Sequence, residues 1–148
     1  MRKLFHILLI FLISAGTIAC NPESKKSNSS DAEHSSMVKK RRDDGTLSSI
    51  NPVDKDGYVH GVKTNFYDDG VTVHSKISFE HGRKHGPAIW YFRSGNVYEH
   101  TNYYHNRKNG LTKRYYDTGE LMEELTYDTG EELPGTKKYN REGEPITK

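Results

Sequence analysis

The sequence predicts an all-β chain: an elongated antiparallel meander of repeated β-hairpins. Three observations predict it. Glycines recur every 24 or 25 residues, in three series held at fixed offsets from one another. Pairs of aromatic residues recur on the same period. No segment beyond the first twenty residues carries the 3.6-residue apolar spacing of an amphipathic helix.

The chain opens with a leader. Met1-Arg2-Lys3 is a short basic start, Leu4 to Ile13 is an apolar run interrupted only by His6, and small residues follow up to Ala19 and Cys20. That order is the layout of a secretory signal, and the apolar run is too short to span a bilayer as a helix. Thr17-Ile18-Ala19-Cys20 resembles a bacterial lipobox, with Thr17 where leucine is usual. The resemblance implies a signal peptide over 1–19, cleavage before Cys20, and acylation of that residue. Cys20 is the sole cysteine, so no intrachain disulfide competes for it. Two or three acyl chains, at about 0.8 kcal/mol per buried methylene, anchor a protein stably where one alone does not. The expected location is the cell envelope, lipid-anchored to a membrane. Asn21 after the cysteine favours the outer membrane in a Gram-negative host.

Residues 20–42 are expected to form a flexible tether. The stretch is rich in Ser, Asn and charge and holds no aromatic residue, so it cannot bury enough surface to offset its ordering entropy. Coil scaling gives it a reach of about 25 Å. Its Lys39-Lys40-Arg41-Arg42 run is read as a solvated tether end.

The repeats are expected over 43–148. Gly45, Gly70, Gly95, Gly119 and Gly143 form one series. Gly57, Gly82, Asn106 and Gly130 form the second, and Gly61, Gly86, Gly110 and Pro134 the third. Five places after the third series stand Phe66, Tyr91, Tyr115 and Tyr139, each followed by Tyr67, Phe92, Tyr116 or Asn140. Three places before the second series stand Phe79, Tyr103 and Tyr127, but Asp54 takes this place in the first unit. Asp68-Asp69-Gly70, Arg93-Ser94-Gly95 and Asp117-Thr118-Gly119 read as turns with glycine at the positive-φ position. The other turns are placed at Gly82–Gly86 and Asn106–Gly110. Strand alternation puts Phe66, Tyr91 and Tyr115 on one face and Tyr67, Phe92 and Tyr116 on the other.

This grammar of glycine, paired aromatics, a glycine turn, a polar strand and a further aromatic resembles the variant MORN repeat, best between His85 and Gly130. The resemblance implies a MORN-like sheet of about 24–25 residues per repeat. Bacterial chains of this pattern are often labelled as antitoxins, which implies, as an alternative function, neutralisation of a partner toxin by direct binding. The fold specifies a scaffold and leaves function to its surface.

Composition narrows that function. The chain has 22 Lys and Arg against 20 Asp and Glu; two of the former, Arg2 and Lys3, lie in the leader, so the remainder is charge-neutral. A nucleic-acid binder is therefore not expected. Hydrophobic content is 32% and mean hydropathy −0.90, yet ten tyrosines lie at or beyond Tyr58, so aromatics must supply much of the buried surface. No serine sits in a nucleophile elbow, and Glu123-Glu124 and Glu131-Glu132 point to opposite faces, so no catalytic residue is assigned. His81 and His85 flank a glycine turn without a third ligand at a fixed offset, so no metal or other cofactor is assigned. The expected activity is non-catalytic binding or scaffolding, with Tyr67, Trp90, Phe92, Tyr98 and Tyr116 as contact residues for a protein or an envelope polymer.

Overall fold

The computed structural model describes residues 36–147. The signal peptide, Cys20 and the first part of the tether lie outside the described residues. Among the described residues eleven strands make one sheet: β1 Ser36–Arg41, β2 Leu47–Val53, β3 Gly61–Phe66, β4 Val73–Glu80, β5 Arg83–Tyr91, β6 Val97–Tyr104, β7 Arg107–Lys108, β8 Gly110–Tyr115, β9 Leu121–Asp128, β10 Glu131–Glu132 and β11 Lys137–Lys138. The order is β1-β2-β3-β4-β5-β6-β8-β9-β10, with β7 also on β6 and β11 also on β9. Each strand pairing among the described residues is antiparallel and joins strands close in sequence, as a hairpin meander requires. No described residue is helical.

Two features correct the sequence reading. Ser36–Arg41, read as tether, pairs residue by residue with Leu47–Val53. Every residue of this edge strand is exposed, so it carries none of the apolar alternation that marks a strand. Backbone pairing holds it instead. The second turn is also shorter than expected. Glu80 pairs with Arg83, Tyr104 with Arg107 and Asp128 with Glu131, leaving two-residue loops His81-Gly82, His105-Asn106 and Thr129-Gly130. Both residues of each loop have positive φ, the conformation of a type I′ turn, whose twist matches that of the flanking strands.

The first-series glycines close the other row of turns. In each, the glycine N–H donates to the carbonyl three residues earlier: Gly70 to Tyr67, Gly95 to Phe92, Gly119 to Tyr116 and Gly143 to Asn140. Register then slips by one residue in β1/β2, β3/β4, β5/β6 and β8/β9, leaving Ser48, His74, Tyr98 and Met122 as bulge residues. The third-series glycines face aromatics across the ladder: Gly61 faces Phe79, Gly86 faces Tyr103 and Gly110 faces Tyr127. All three glycines have positive φ, of 101°, 90° and 84°, which glycine adopts without a Cβ clash.

By register, one face carries Ser49, Ser75, Glu99, Glu123, Asn51, Ile77, Ala88, Thr101, Thr112 and Leu125, all buried. Among the described residues only Ile77, Ala88 and Leu125 are buried hydrophobic residues, so the core is mostly polar. Trp90 and Tyr103 of that face flank the Ala88–Thr101 pair, with ring centroids 6.3 Å apart. Half-buried aromatics thus roof a core of small and polar side chains.

Candidate functional site

The row of first-series turns builds one candidate surface. Tyr67, Phe92 and Tyr116 each start a turn, and the bulge residue of the same hairpin packs beside the first two. Tyr67 meets His74 edge-on at 4.8 Å, and Phe92 meets Tyr98 edge-on at 5.2 Å. Tyr67, His74, Trp90, Tyr91, Phe92 and Tyr98 line one open depression of about 260 Å³. Tyr98 is 39% exposed, whereas Tyr67, Trp90 and Phe92 are half-buried. The structure therefore brings together four of the five contact residues expected from sequence. Tyr116 lies apart from them, beside Met122, Lys138, Tyr139 and Ile146.

These aromatics also join successive units. The Tyr67 hydroxyl donates to the Tyr91 carbonyl at 2.6 Å, and the Tyr116 hydroxyl to the Tyr139 carbonyl at 2.8 Å. Arg42 Nη2, at the same place in the first unit, donates to the Phe66 carbonyl at 2.8 Å. Arg93 lies 4.6 Å over the Tyr67 ring and pairs with Asp68; Arg141 lies 4.7 Å over Tyr116 and pairs with Asp117. These arginine–carboxylate hydrogen bonds hold Asp68 and Asp117 below the ordinary carboxylate pKa. Phe66, Tyr91 and Tyr115 end their strands and pair beyond the bulge with Val73, Val97 and Leu121.

A charge network runs along the buried face. Glu99 accepts from Lys108 Nζ and Arg114 Nε, both at 2.7 Å, and Arg114 Nη1 donates to Glu123 at 2.9 Å. Burial works to raise the Glu99 pKa, but the Lys108 and Arg114 hydrogen bonds and charges outweigh it and hold it below the ordinary value. Glu123 is bonded to Arg114 and Lys138, while neighbouring Glu124 faces Lys113 and Lys137 on the opposite side. Each carboxylate serves a different face, as strand alternation requires.

The row of type I′ turns builds a second surface that sequence reasoning missed. Asp54 is buried and caps its own turn: Oδ1 accepts from Asp56 N at 3.1 Å and Tyr58 N at 2.9 Å. Its Oδ2 lies 2.9 Å from His81 Nδ1, and the His81 and His60 rings meet edge-on at 5.0 Å. Burial works to raise the Asp54 pKa; the hydrogen bonds from Tyr58, His81 and Asp56 together hold it below the ordinary value. Next to this group Asp56, Tyr58, Glu80, His81, Arg83 and His105 line an open concavity of about 550 Å³. The signal in the sequence was Asp54 itself, a carboxylate where later units carry Phe79, Tyr103 and Tyr127.

The hairpin geometry agrees with one comparison. Residues 84–106 and 108–129 match the MORN repeat variant. These two MORN-variant units span β5 to β9, and they contribute Trp90, Phe92, Tyr98 and Tyr116. The type I′ turn His105-Asn106 closes the first unit, and Thr129-Gly130 the second. No curated protein and no solved structure matches the chain.

Proposed function

We propose that the protein is a lipid-anchored binding module of the cell envelope, held through Cys20 and contacting a protein or envelope polymer with the aromatic depression around Trp90. One observation carries the reading: Tyr67, His74, Trp90, Phe92 and Tyr98 converge in a single open depression on a repeat scaffold. Ring faces and edges there offer a partner stacking surface at low entropic cost, and Arg93 beside Tyr67 supplies a charge at the rim. The MORN-variant match supports a repeat-based binding module.

The anchor and the surface are tested separately. Metabolic labelling with a fatty-acid analogue is expected to mark the wild type in membranes and to leave Cys20→Ala unlabelled. Unlabelled wild type in the cytosol would remove the envelope reading. For the surface, a photo-cross-linker replacing Ser94 in the rim turn is expected to trap a partner, and Tyr98→Ser is expected to abolish the trap while the sheet persists. Retention of the same partner by Tyr98→Ser, and by Tyr98→Ser combined with His74→Ser, would refute the assignment of this surface.

A further inference from the structure

We propose that Asp54, His60 and His81 form a site for a divalent transition-metal ion, with Zn2+ the best fit to their donor set. The ligand atoms of these three residues lie within 4.8 Å of one another, the set of three that converges among the described residues. Two imidazole nitrogens and a carboxylate oxygen are the donors that Zn2+ takes at about 2.0–2.2 Å. A tetrahedral ion places its donors about 3.3 Å apart, so the widest gap must close by at most about 1.5 Å. Asp54 Oδ2 and His81 Nδ1 are already within that distance, at 2.9 Å. His81 has an exposed side chain, which leaves it room to adjust.

The groups are held for the purpose by their backbones. Asp54 Oδ1 is occupied by the Asp56 and Tyr58 N–H groups, which leaves Oδ2 aimed at His81, as outer hydrogen bonds orient metal ligands elsewhere. The His60 N–H donates to the Pro52 carbonyl at 2.9 Å, and the Gly82 N–H donates to the Val59 carbonyl at 2.8 Å. The turn bearing His81 is thereby pinned against the residue next to His60. His81 has φ of 44°, the left-handed conformation its place in the type I′ turn requires.

The repeat supplies an internal control. One unit later the equivalent residues are Phe79, His85 and His105, and one further Tyr103, Asn109 and Thr129. His85 and His105 keep the paired imidazoles, with centroids 5.5 Å apart, but lack the buried carboxylate. Glu80 reaches His85 at 3.3 Å from an exposed position, without a converging third donor. The proposed ion would therefore join the first unit to the second and no others. One of the three ligands, His81, also lines the concavity shared with Tyr58 and Arg83.

The test uses the full-length chain in detergent micelles, titrated with Zn2+ by calorimetry and with Co2+ by its visible d–d absorption. One saturable site per chain is expected, with tetrahedral Co2+ bands. His60→Gln and His81→Gln are each expected to weaken binding about 100-fold, while His85→Gln and His105→Gln leave it unchanged. Circular dichroism and Trp90 fluorescence check that the variants stay folded, and exposed His81 makes its variant the decisive one. Zn2+ is expected to raise the unfolding midpoint of the wild type and not of His81→Gln. Absence of saturable binding to the wild type overturns the proposal, as does undiminished binding by a folded His81→Gln variant. Either result leaves the aromatic surface untouched.

Discussion

Phe92 occupies the place at which Tyr67 and Tyr116 tie their units to the next. Its ring meets Tyr98 edge-on at 72°, as the Tyr67 ring meets His74 at 78°. By repeat equivalence, a hydroxyl on Phe92 would bond the Tyr115 carbonyl, the counterpart of the Tyr91 and Tyr139 carbonyls. Phe92→Tyr is expected to add this bond without moving the ring. A net hydrogen bond contributes about 1 kcal/mol, which corresponds to about 4 °C in Tm, or to a urea midpoint shift of about 0.5 M. Equilibrium urea unfolding followed by Trp90, the sole tryptophan, measures it. Tyr67→Phe and Tyr116→Phe are expected to lose a similar amount. An unchanged midpoint in Phe92→Tyr, alongside a loss in both reverse variants, would refute the claim that the units share one geometry here. No loss in the reverse variants would refute the claim that these hydroxyls stabilise the array.

Three further outcomes are expected. The Glu99 carboxyl is held below its ordinary value of 4.5 in the fold, so the stability it contributes is present above that value and is lost as pH falls from it through the depressed folded value. The urea midpoint should drop below about pH 4.5, and Glu99→Gln should flatten that drop while costing about 2 kcal/mol at neutral pH, less than breaking a fully buried pair because Arg114 and Lys108 keep access to water. Thr101 and Thr112 are fully buried with their hydroxyls bonded to each other, so Thr112→Val should cost about 1–3 kcal/mol and the double valine variant should recover part of it, which a double-mutant cycle reads. Gly70 and Gly95 share a positive φ, but a Cβ at Gly70 would stand 2.8 Å from the Leu47 nitrogen whereas one at Gly95 meets nothing within 4 Å; Gly70→Ala should therefore lower Tm more than Gly95→Ala, and equal losses would show that φ alone decides.

The glycine series made the hairpin meander legible, because each glycine of the series has a positive φ at a turn or in a strand. What stayed hidden has physical reasons. Ser36–Arg41 is an edge strand exposed throughout, so it leaves no hydrophobic pattern to read. The second turn was read too long because Gly86 and Gly110 look like loop residues, whereas they are strand residues with φ of 90° and 84° facing Tyr103 and Tyr127. The clustering of Tyr67, Phe92 and Tyr98 depends on the bulge in each hairpin. Alternation cannot show it, since a bulge breaks alternation. Asp54 looked like a degraded aromatic position because, although His60 lies across its own turn, its partner His81 comes from the next hairpin.

The type I′ turns stack by one bond each onto the unit before: Gly82 N–H to the Val59 carbonyl, Asn106 N–H to Lys84, Gly130 N–H to Lys108. Among the described residues no bond of this kind skips a unit, so the repeat array works as a ruler. Inserting or deleting one whole unit adds or removes two strands, about 10 Å across the sheet, and leaves every remaining junction as it was. Length can then change in evolution by duplication of a gene segment, without any new interface having to be invented.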